Sequence, residues 1–184
     1  EVREFILGNV TMWLADYHLD GLRVDSTIYM RNTAGKNDDP TNDLLDAWSL
    51  FQEINTLAHK INPNAMMVAE DSSSNEYITK PISEGGAGFD AQWGSSFPHA
   101  VRSRFGMEDN RYSDGLDNEL RRYYNGQAFQ KVVFSDSHDT AANGGERLNE
   151  ATTPGNAGSV FARQRTLVAH ALSLTAPGIP MILQ

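Results

Sequence analysis

The sequence predicts an α/β fold in which parallel strands alternate with helices. Five short apolar segments have strand character, at residues 21–25, 65–69, 89–93, 131–135 and 179–183. Stretches with a helical spacing of apolar residues separate them. Three of the strand segments run directly into acidic residues. Strands that alternate with helices build parallel βα units, and α/β barrels place their chemistry at the carboxyl ends of such strands.

The first half of the chain shows this alternation in order. Residues 2–18 carry a helical stripe of apolar side chains, made of Val2, Phe5, Ile6, Val10, Trp13, Leu14 and Tyr17. After the first strand, the polar stretch from Arg31 to Asn42 is typical of a loop, and Thr41 or Asn42 is predicted to cap the next helix. The core face of that helix comprises Leu45, Trp48, Phe51, Ile54 or Asn55, Ala58 and Ile61, and Pro63 ends it.

The second half continues the pattern. Residues 72–88 are rich in Ser and Gly and predict a loop, which leads to the short strand at 89–93. Residues 97–125 are mostly helical in character, with a break around Gly106–Gly115. The stretch from Thr140 to Gly158 predicts an exposed loop. A helix at about 159–175 then leads through Pro177 to the last strand.

Composition narrows the range of partners. The net charge of −9 and the lack of a basic patch make nucleic acid and anionic membranes poor partners. The chain has no cysteine, which excludes disulfides and thiolate metal sites and suits a cytoplasmic protein. No apolar run approaches membrane-spanning length. The chain opens on Glu1 rather than methionine, so we expect that residues have been lost upstream.

Five strands are too few to close a (β/α)₈ barrel, which takes about 250 residues and rarely fewer than about 200. The predicted elements begin on a helix and end on a strand. We therefore expect residues 1–184 to form one domain, the carboxyl-terminal part of an incomplete (β/α)₈ barrel. A small open α/β sheet, complete in itself, is the alternative.

The segment Asp20-Gly21-Leu22-Arg23-Val24-Asp25 is the first candidate site. Side chains alternate along a strand, so Arg23 and Asp25 share one face while Leu22 and Val24 point to the other. If Leu22 and Val24 pack under a helix, Arg23 and Asp25 face the inside of the sheet. A guanidinium favours the ionised form of a neighbouring carboxylate, which suits a nucleophile. A buried Arg–Asp pair that only fixes a strand end is the competing interpretation.

Two further segments favour the functional interpretation. Ala65-Met66-Met67-Val68-Ala69-Glu70-Asp71 and Lys131-Val132-Val133-Phe134-Ser135-Asp136-Ser137-His138-Asp139 are also apolar runs that end in acids. Three such strands predict a ring of acids around one pocket. Carboxylates on neighbouring strands, which lie about 4.8 Å apart, could come close together there.

These segments resemble the conserved regions of glycoside hydrolase family 13, the α-amylase superfamily. Asp20–Asp25 resembles the fourth-strand region, Val68–Asp71 the fifth, Ser135–Asp139 the seventh and Pro177–Gln184 the eighth. Within the family, the run from Phe5 to Asp20, Met30 and Ala69–Ser72 resemble glycogen branching enzymes. Residues 89–93, followed by His99, resemble branching enzymes and trehalose-releasing hydrolases about equally. The family's third-strand region, which supplies an Asn-His pair and helps to hold calcium, has no match here, nor has the Gly-Gln-Glu that often follows the eighth strand.

The resemblance implies a retaining enzyme that acts on α-1,4-glucosidic bonds of an α-glucan or maltooligosaccharide. Asp25 would be the nucleophile with Arg23 as its partner, Glu70 the acid/base, and Asp139 the stabiliser of the transition state, while His138 would bind sugar. Trp93 and Phe97, at the end of the short strand at 89–93 and just after it, are candidates for stacking on sugar. No organic cofactor is implied, and calcium is implied only for a complete enzyme.

Several alternatives stay open at this point. Asp71 and Asp136 could replace Glu70 and Asp139 as the working acids, although alternation puts them off the inner face. Arg102, Arg104, Arg121 and Arg122 have the pattern of a solvated helix face. Glucan branching is the leading function, with an amylase or trehalohydrolase, or a non-catalytic glucan-binding protein, as alternatives. A metal-dependent hydrolase is disfavoured because no histidines have ligand spacing.

Overall fold

The computed structural model describes residues 1–106, 115–142 and 145–183. The chain divides into two compact units, Glu1–Trp93 and Gly94–Gln184. Among the described residues, no helix is long and apolar enough to cross a membrane.

The first unit is a parallel sheet with helices between its strands. Its helices are α1 (Val2–Thr11), which continues as a π-helical turn over Met12–Asp16, α2 (Thr27–Arg31) and α3 (Leu45–Ile61). Its strands are β1 (Gly21–Val24), β2 (Met66–Ala69) and β3 (Ala91–Trp93). Strand β2 pairs in parallel with both β1 and β3. The prediction of parallel βα units is confirmed for these strands.

The core of the first unit lies between its sheet and helices α1 and α3. Phe51, Ile54 and Ala58 of α3 are buried there, and the Phe51 ring meets the Phe89 ring edge-on at 5.6 Å. Full burial of a side chain of this size contributes about 1.5–3 kcal/mol. Leu22 and Val24 of β1 pack against the same cluster. The condition on which Arg23 and Asp25 were expected to face the inside of the sheet is therefore met.

Some details of the predicted helices are wrong. Val2 and Phe5 are each 76% exposed and Leu45 is 81% exposed, so they lie off the core faces of α1 and α3. The buried stripe of α1 follows Ile6, Val10 and Leu14 instead, an i, i+4 series that the π-helical turn extends. Neither Thr41 nor Asn42 caps α3. Both belong to a separate 3₁₀ turn capped by Asp39, because α3 begins only after an extended Leu44.

The second unit contains five helices and two strands within its described residues. The helices are α4 (Ser96–Gly106), α5 (Gly115–Arg121), α6 (His138–Ala141), α7 (Leu148–Thr152) and α8 (Val160–Thr175). Strands β4 (Lys131–Val133) and β5 (Ile179–Pro180) pair in parallel. The core comprises Phe97, Val101, Leu116, Val133, Leu148 and Ala169.

The predicted loop at 140–158 is wrong in part, because it contains the end of α6 and all of α7. The predicted break around Gly106–Gly115 falls on residues 107–114, which lie outside the described residues. The assignment of the five strands to the fourth to eighth strands of a (β/α)₈ barrel stays a prediction. The single domain over residues 1–184 stays a prediction as well.

Candidate active site

Asp25 stands directly after β1, at the entrance to α2. The turn between them passes through Ser26, which adopts a left-handed conformation with φ of +46°. Arg23 Nη1 donates to Asp25 Oδ1 at 2.8 Å, and the Asp25 side chain is 74% exposed. The carboxylate is therefore held in position by a cation and remains open to a ligand.

Glu70 stands at the equivalent place after β2. The register of the two strands sets Val24 beside Ala69, so the residues that follow them leave the sheet side by side. Arg23 Nη2 lies 2.7 Å from Glu70 Oε2, and the backbone N–H of Ser26 donates to the same oxygen at 2.8 Å. The Glu70 side chain is only 16% exposed. Glu70 is thus the better shielded of the two acids.

One guanidinium therefore contacts both carboxylates. Because its nitrogens form a rigid planar fork, the two contacted oxygens are at most about 8 Å apart. This limit accommodates the separation of about 5–5.5 Å between carboxyl groups that retaining glycosidases use.

Trp93, at the end of β3, packs against Arg23. The guanidinium carbon lies 4.1 Å from the centre of the Trp93 ring, and the residue is only 6% exposed. A cation over an aromatic face is attracted by the ring quadrupole. In this arrangement the ring supports Arg23 and offers a sugar little open surface. Phe97 is fully buried in the core of the second unit, so the suggestion that it stacks on sugar is wrong.

A cavity of about 460 Å³ opens beside Glu70. Its lining combines the end of β2 with α2 and the loop that follows α2, and comprises Ser26, Ile28, Tyr29, Gly35, Lys36, Asn37, Glu70, Asp71, Ser72 and Ser73. Cavities of this size commonly hold small ligands. The mixture of hydroxyl, amide and aromatic groups suits a polyhydroxylated molecule.

Asp71, the neighbour of Glu70, is fully buried in an ion pair. Arg31 Nε donates to Asp71 Oδ2 and Arg31 Nη2 to Asp71 Oδ1, both at 2.8 Å, and neither side chain is exposed. The hydroxyls of Thr27 and Ser73 donate to the same carboxylate. With its oxygens occupied in this way, Asp71 is poorly placed to act on a substrate.

In the second unit, Asp139 and His138 begin α6. Ser137 caps this helix by accepting from the N–H of Thr140, and the Thr140 side chain accepts in return from the N–H of Ser137. Asp139 Oδ2 lies 3.2 Å from His138 Nε2, and the side chains are 43% and 60% exposed. Asp139 lines a cavity of about 550 Å³ together with His99, Arg102, Thr140, Ala142, Gly145 and Glu146.

Asp136 is buried beneath this segment. Its carboxylate accepts from Arg102 at 2.5 Å, from the Thr140 hydroxyl at 2.8 Å and from the Leu148 N–H at 3.2 Å. The prediction that Arg102 lies on a solvated helix face is wrong, because its side chain is only 15% exposed and pairs with Asp136. The pair joins residues 34 apart in sequence, which a helical pattern around Arg102 alone does not reveal.

Within the described ranges, no three His, Asp or Glu side chains group as metal ligands. Calcium binding by the complete protein stays a prediction.

Comparison with known proteins identifies the family. The 1,4-alpha-glucan branching enzyme GlgB of Corynebacterium diphtheriae is 32% identical over 92% of this chain and 24% of its own length. The enzyme of the same name from Methylococcus capsulatus is 31% identical over 97% of this chain and 25% of its own length. The chain belongs to glycoside hydrolase family 13, the α-amylase superfamily. It spans about a quarter of the length of these two curated relatives. No protein-family model matches it.

Solved structures of the α-amylase superfamily share the fold. An α-amylase from Geobacillus thermoleovorans, complexed with acarbose, superposes with a TM-score of 0.65 at 19% identity, over 98% of this chain and 35% of its own. A pullulanase from Anoxybacillus sp. LM18-11, complexed with maltotriose, superposes with a TM-score of 0.66 at 19% identity. The match covers 98% of this chain and 25% of the pullulanase chain. The predicted α/β class is confirmed by these likenesses.

The first unit thus brings together Arg23, Asp25, Glu70 and Trp93, and the second contains His138 and Asp139. The roles predicted for these six residues remain predictions. The contributions of Arg31 and the Ser26 N–H did not follow from the sequence. The only available signal was that Arg31 lies four residues after Thr27, one helical turn away on the same face.

Proposed function

We propose that this chain carries the catalytic acids of a retaining enzyme that cleaves α-1,4-glucosidic bonds. The observation that carries the proposal is the contact of one arginine, Arg23, with both Asp25 and Glu70. The family membership of the chain supports the same chemistry.

In the first step, an Asp25 oxygen attacks the anomeric carbon and forms a glycosyl ester. The bond from that carbon to the leaving sugar oxygen breaks, and Glu70 gives its proton to this oxygen. In the second step, Glu70 takes a proton from water or from a sugar hydroxyl. The oxygen so activated attacks the anomeric carbon and releases Asp25.

Arg23 suits both halves of this cycle. Before the first step the negative charge lies on Asp25, and after it the charge lies on Glu70, because Asp25 has become a neutral ester. A guanidinium that contacts both groups keeps the charge paired throughout without moving. Trp93 holds the guanidinium from its face, so the cation needs little reorganisation during the reaction.

Asp139 and His138 are proposed to act on the sugar itself. A carboxylate near the ring would stabilise the positive charge that develops at the anomeric carbon. An imidazole can donate hydrogen bonds to sugar hydroxyls. Both side chains are accessible enough for these roles, with 43% and 60% of their surfaces exposed. Acetal cleavage by acid and nucleophile requires no organic cofactor.

Glucan transfer to a sugar hydroxyl, which forms branches, is the leading choice of reaction. The supporting observation is that two relatives named as branching enzymes match over 92% and 97% of this chain. Transfer to water, as in an amylase or trehalohydrolase, is the second candidate, since the solved amylase and pullulanase share the fold.

Product analysis on amylose tests the choice. The complete protein that carries these residues should produce new 1,6 branches, detected by debranching and chain-length profiling. Free maltooligosaccharides without branches would identify a hydrolase. Binding of amylose without any bond cleavage would identify a non-catalytic glucan-binding protein and refute the proposed function.

A further inference from the structure

We propose that the buried Arg31–Asp71 ion pair is a positioning pair that fixes Glu70 relative to Asp25. The inference rests on the proposed function, in which the separation of these two carboxyl groups determines whether both can reach one glycosidic bond. Neither residue is proposed to touch the substrate.

The pair begins directly beside Glu70. Asp71 is the next residue in the chain, and Arg31 binds it at two points, from Nε to Oδ2 and from Nη2 to Oδ1. A two-point contact between a planar guanidinium and a carboxylate fixes direction as well as distance. Because both side chains are fully buried, water does not compete for these bonds. The backbone that carries Glu70 is therefore held in one orientation.

The same carboxylate also binds the segment that follows Asp25. The Thr27 hydroxyl donates to Asp71 Oδ2 at 3.0 Å, and the Thr27 N–H donates to the backbone oxygen of Glu70 at 2.9 Å. Ser26, between Asp25 and Thr27, donates its N–H to Glu70 Oε2. Asp71 thus links the residues that leave β1 with those that leave β2.

Arg31 is itself anchored from the opposite side. Its guanidinium lies 3.2 Å from Asp43 Oδ1, donates to Asn37 at 3.2 Å and to Ser73 at 2.9 Å, and stands over the Trp48 ring at 5.3 Å. These partners come from the loop after α2, from the loop after β2 and from α3. The anchor therefore does not depend on α2 alone.

A role beyond stability follows from the energetics of buried ion pairs. Replacing such a pair with well-packed apolar residues is often neutral or stabilising, so a buried pair contributes little that a core cannot supply. What apolar residues cannot supply is the directed two-point contact. A displacement of about 1 Å at a catalytic group can lower the rate by about 10²-fold.

The test compares Asp71→Asn and Arg31→Lys with the unaltered complete protein on two donors. One donor is a maltooligosaccharide, whose leaving group needs a proton. The other is a maltooligosyl fluoride, whose fluoride leaves with little proton assistance. For Asp71→Asn we expect kcat/KM to fall by about 10²-fold on the oligosaccharide and by less than about 10-fold on the fluoride, because only the first depends on proton donation by Glu70.

Sodium azide supplies a second readout. Azide needs no base, so it should raise kcat of both variants on the fluoride and give an α-glycosyl azide, while the unaltered protein gains little. Arg31→Lys keeps the cation but loses the two-point contact. Its loss of kcat/KM on the oligosaccharide and its acceleration by azide should therefore both be smaller than those of Asp71→Asn. A protein that is only destabilised would show no acceleration by azide.

The matched control is Arg3→Met, which removes an arginine from an ion pair with Glu53 that is 36% and 47% exposed in the same unit. It should change neither donor preference nor the azide response. Equal losses on both donors, or no loss, in Asp71→Asn would overturn the inference. If Asp71→Asn does not fold, the same comparison on Arg31→Lys decides it. An unaltered protein that cleaves neither donor would refute the proposed function, and the inference with it.

Discussion

Arg23 shows how much of the proposed chemistry depends on the shape of one side chain. A lysine ammonium is a compact point charge, whereas the guanidinium fork presents separate nitrogens to two carboxylates at 2.8 and 2.7 Å. The alternation of β1 predicted that Arg23 and Asp25 share a face. The contact with Glu70 required the register of β1 with β2, which a sequence pattern does not specify.

Azide should distinguish the two acids by the stereochemistry of its product. In Glu70→Ala of the complete protein, Asp25 inverts the anomeric carbon of an α-glycosyl fluoride once. Azide then replaces the activated water and inverts that carbon again, which gives an α-glycosyl azide. In Asp25→Ala, azide attacks the donor directly, and a single inversion gives a β-glycosyl azide. NMR of the products identifies the anomer.

Turnover and glucan binding of a third variant measure the effect of losing the nucleophile. Loss of the nucleophile in Asp25→Asn should lower kcat by at least about 10³-fold while glucan binding persists, because the shape of the site is kept. Reversed anomers from the two alanine variants would exchange the roles of Asp25 and Glu70.

At the scale of elements, strands β1 and β2 approach so closely that Gly21 has no room for a side chain. A Cβ placed there would lie 2.1 Å from the backbone oxygen of Met66, the residue that pairs with Gly21. Gly21→Ala should therefore force the strands apart and lower the melting temperature by several degrees, corresponding to about 1–3 kcal/mol.

Gly8→Ala is the matched control. Gly8 lies within α1, a Cβ there would meet nothing within 4 Å, and alanine should raise stability by up to about 1 kcal/mol. Thermal unfolding followed by circular dichroism compares the two. An unchanged melting temperature in Gly21→Ala would mean that the strands can separate at no cost.

The elements predicted best were those with a long periodic or apolar pattern. Strand β2 falls within a residue of its predicted bounds, and helix α3 ends at Ile61, before Pro63, as predicted, because each is defined by its own apolar residues. Helices α6 and α7 were not predicted, since each has five residues or fewer and both donate hydrogen bonds to one buried acid outside them. Asp136 accepts from Thr140 in α6 and from the N–H of Leu148 in α7. Such contacts depend on tertiary structure, which local pattern does not contain.

For the molecule as a whole, Lys131 makes stability depend on alkaline pH. Its side chain is buried at the start of β4 and donates to the backbone oxygens of Glu119 and Arg122, both at 2.7 Å. Desolvation lowers the pKa of Lys131 below its ordinary value of 10.5, although the charge of Glu119 acts in the opposite direction. The folded state therefore binds this proton more weakly than the unfolded state does.

The sign of the effect follows from proton linkage. Between the lowered folded pKa and 10.5 the unfolded state binds more protons at Lys131, so the contribution of Lys131 to the free energy of unfolding rises with pH. Lys131→Met should remove this rise. Urea unfolding at several pH values from about 8 to 10 gives the free energy of unfolding of each protein. The slope of that free energy against pH should be steeper for the unaltered protein than for Lys131→Met. Equal slopes would contradict the prediction.

Exposed apolar side chains on α8 predict that a protein of these 184 residues alone associates with itself. Val160, Phe161, Leu167 and Val168 are each more than half exposed, and contiguous apolar surface of this kind marks interaction or aggregation sites. The net charge of −9 opposes the association, which should therefore grow with salt. Phe161→Gln with Leu167→Gln should reduce the mass measured by light scattering.

Asn118→Ala, which changes an exposed polar residue of α5 and none of α8, is the control and should leave the association unchanged. A monomer at all salt concentrations would show that the α8 face does not drive association.

The indole of Trp93 gives the proposed site an optical reporter of its own. It lies against the guanidinium that contacts both acids, so esterification of one acid or its engagement by a ligand would alter the electric field across the ring. Trp13 and Trp48 contact neither acid in the described contacts and supply a steady background. Stopped-flow fluorescence could then follow the glycosyl ester as it forms and decays, as a change on top of that background and without any label on the sugar.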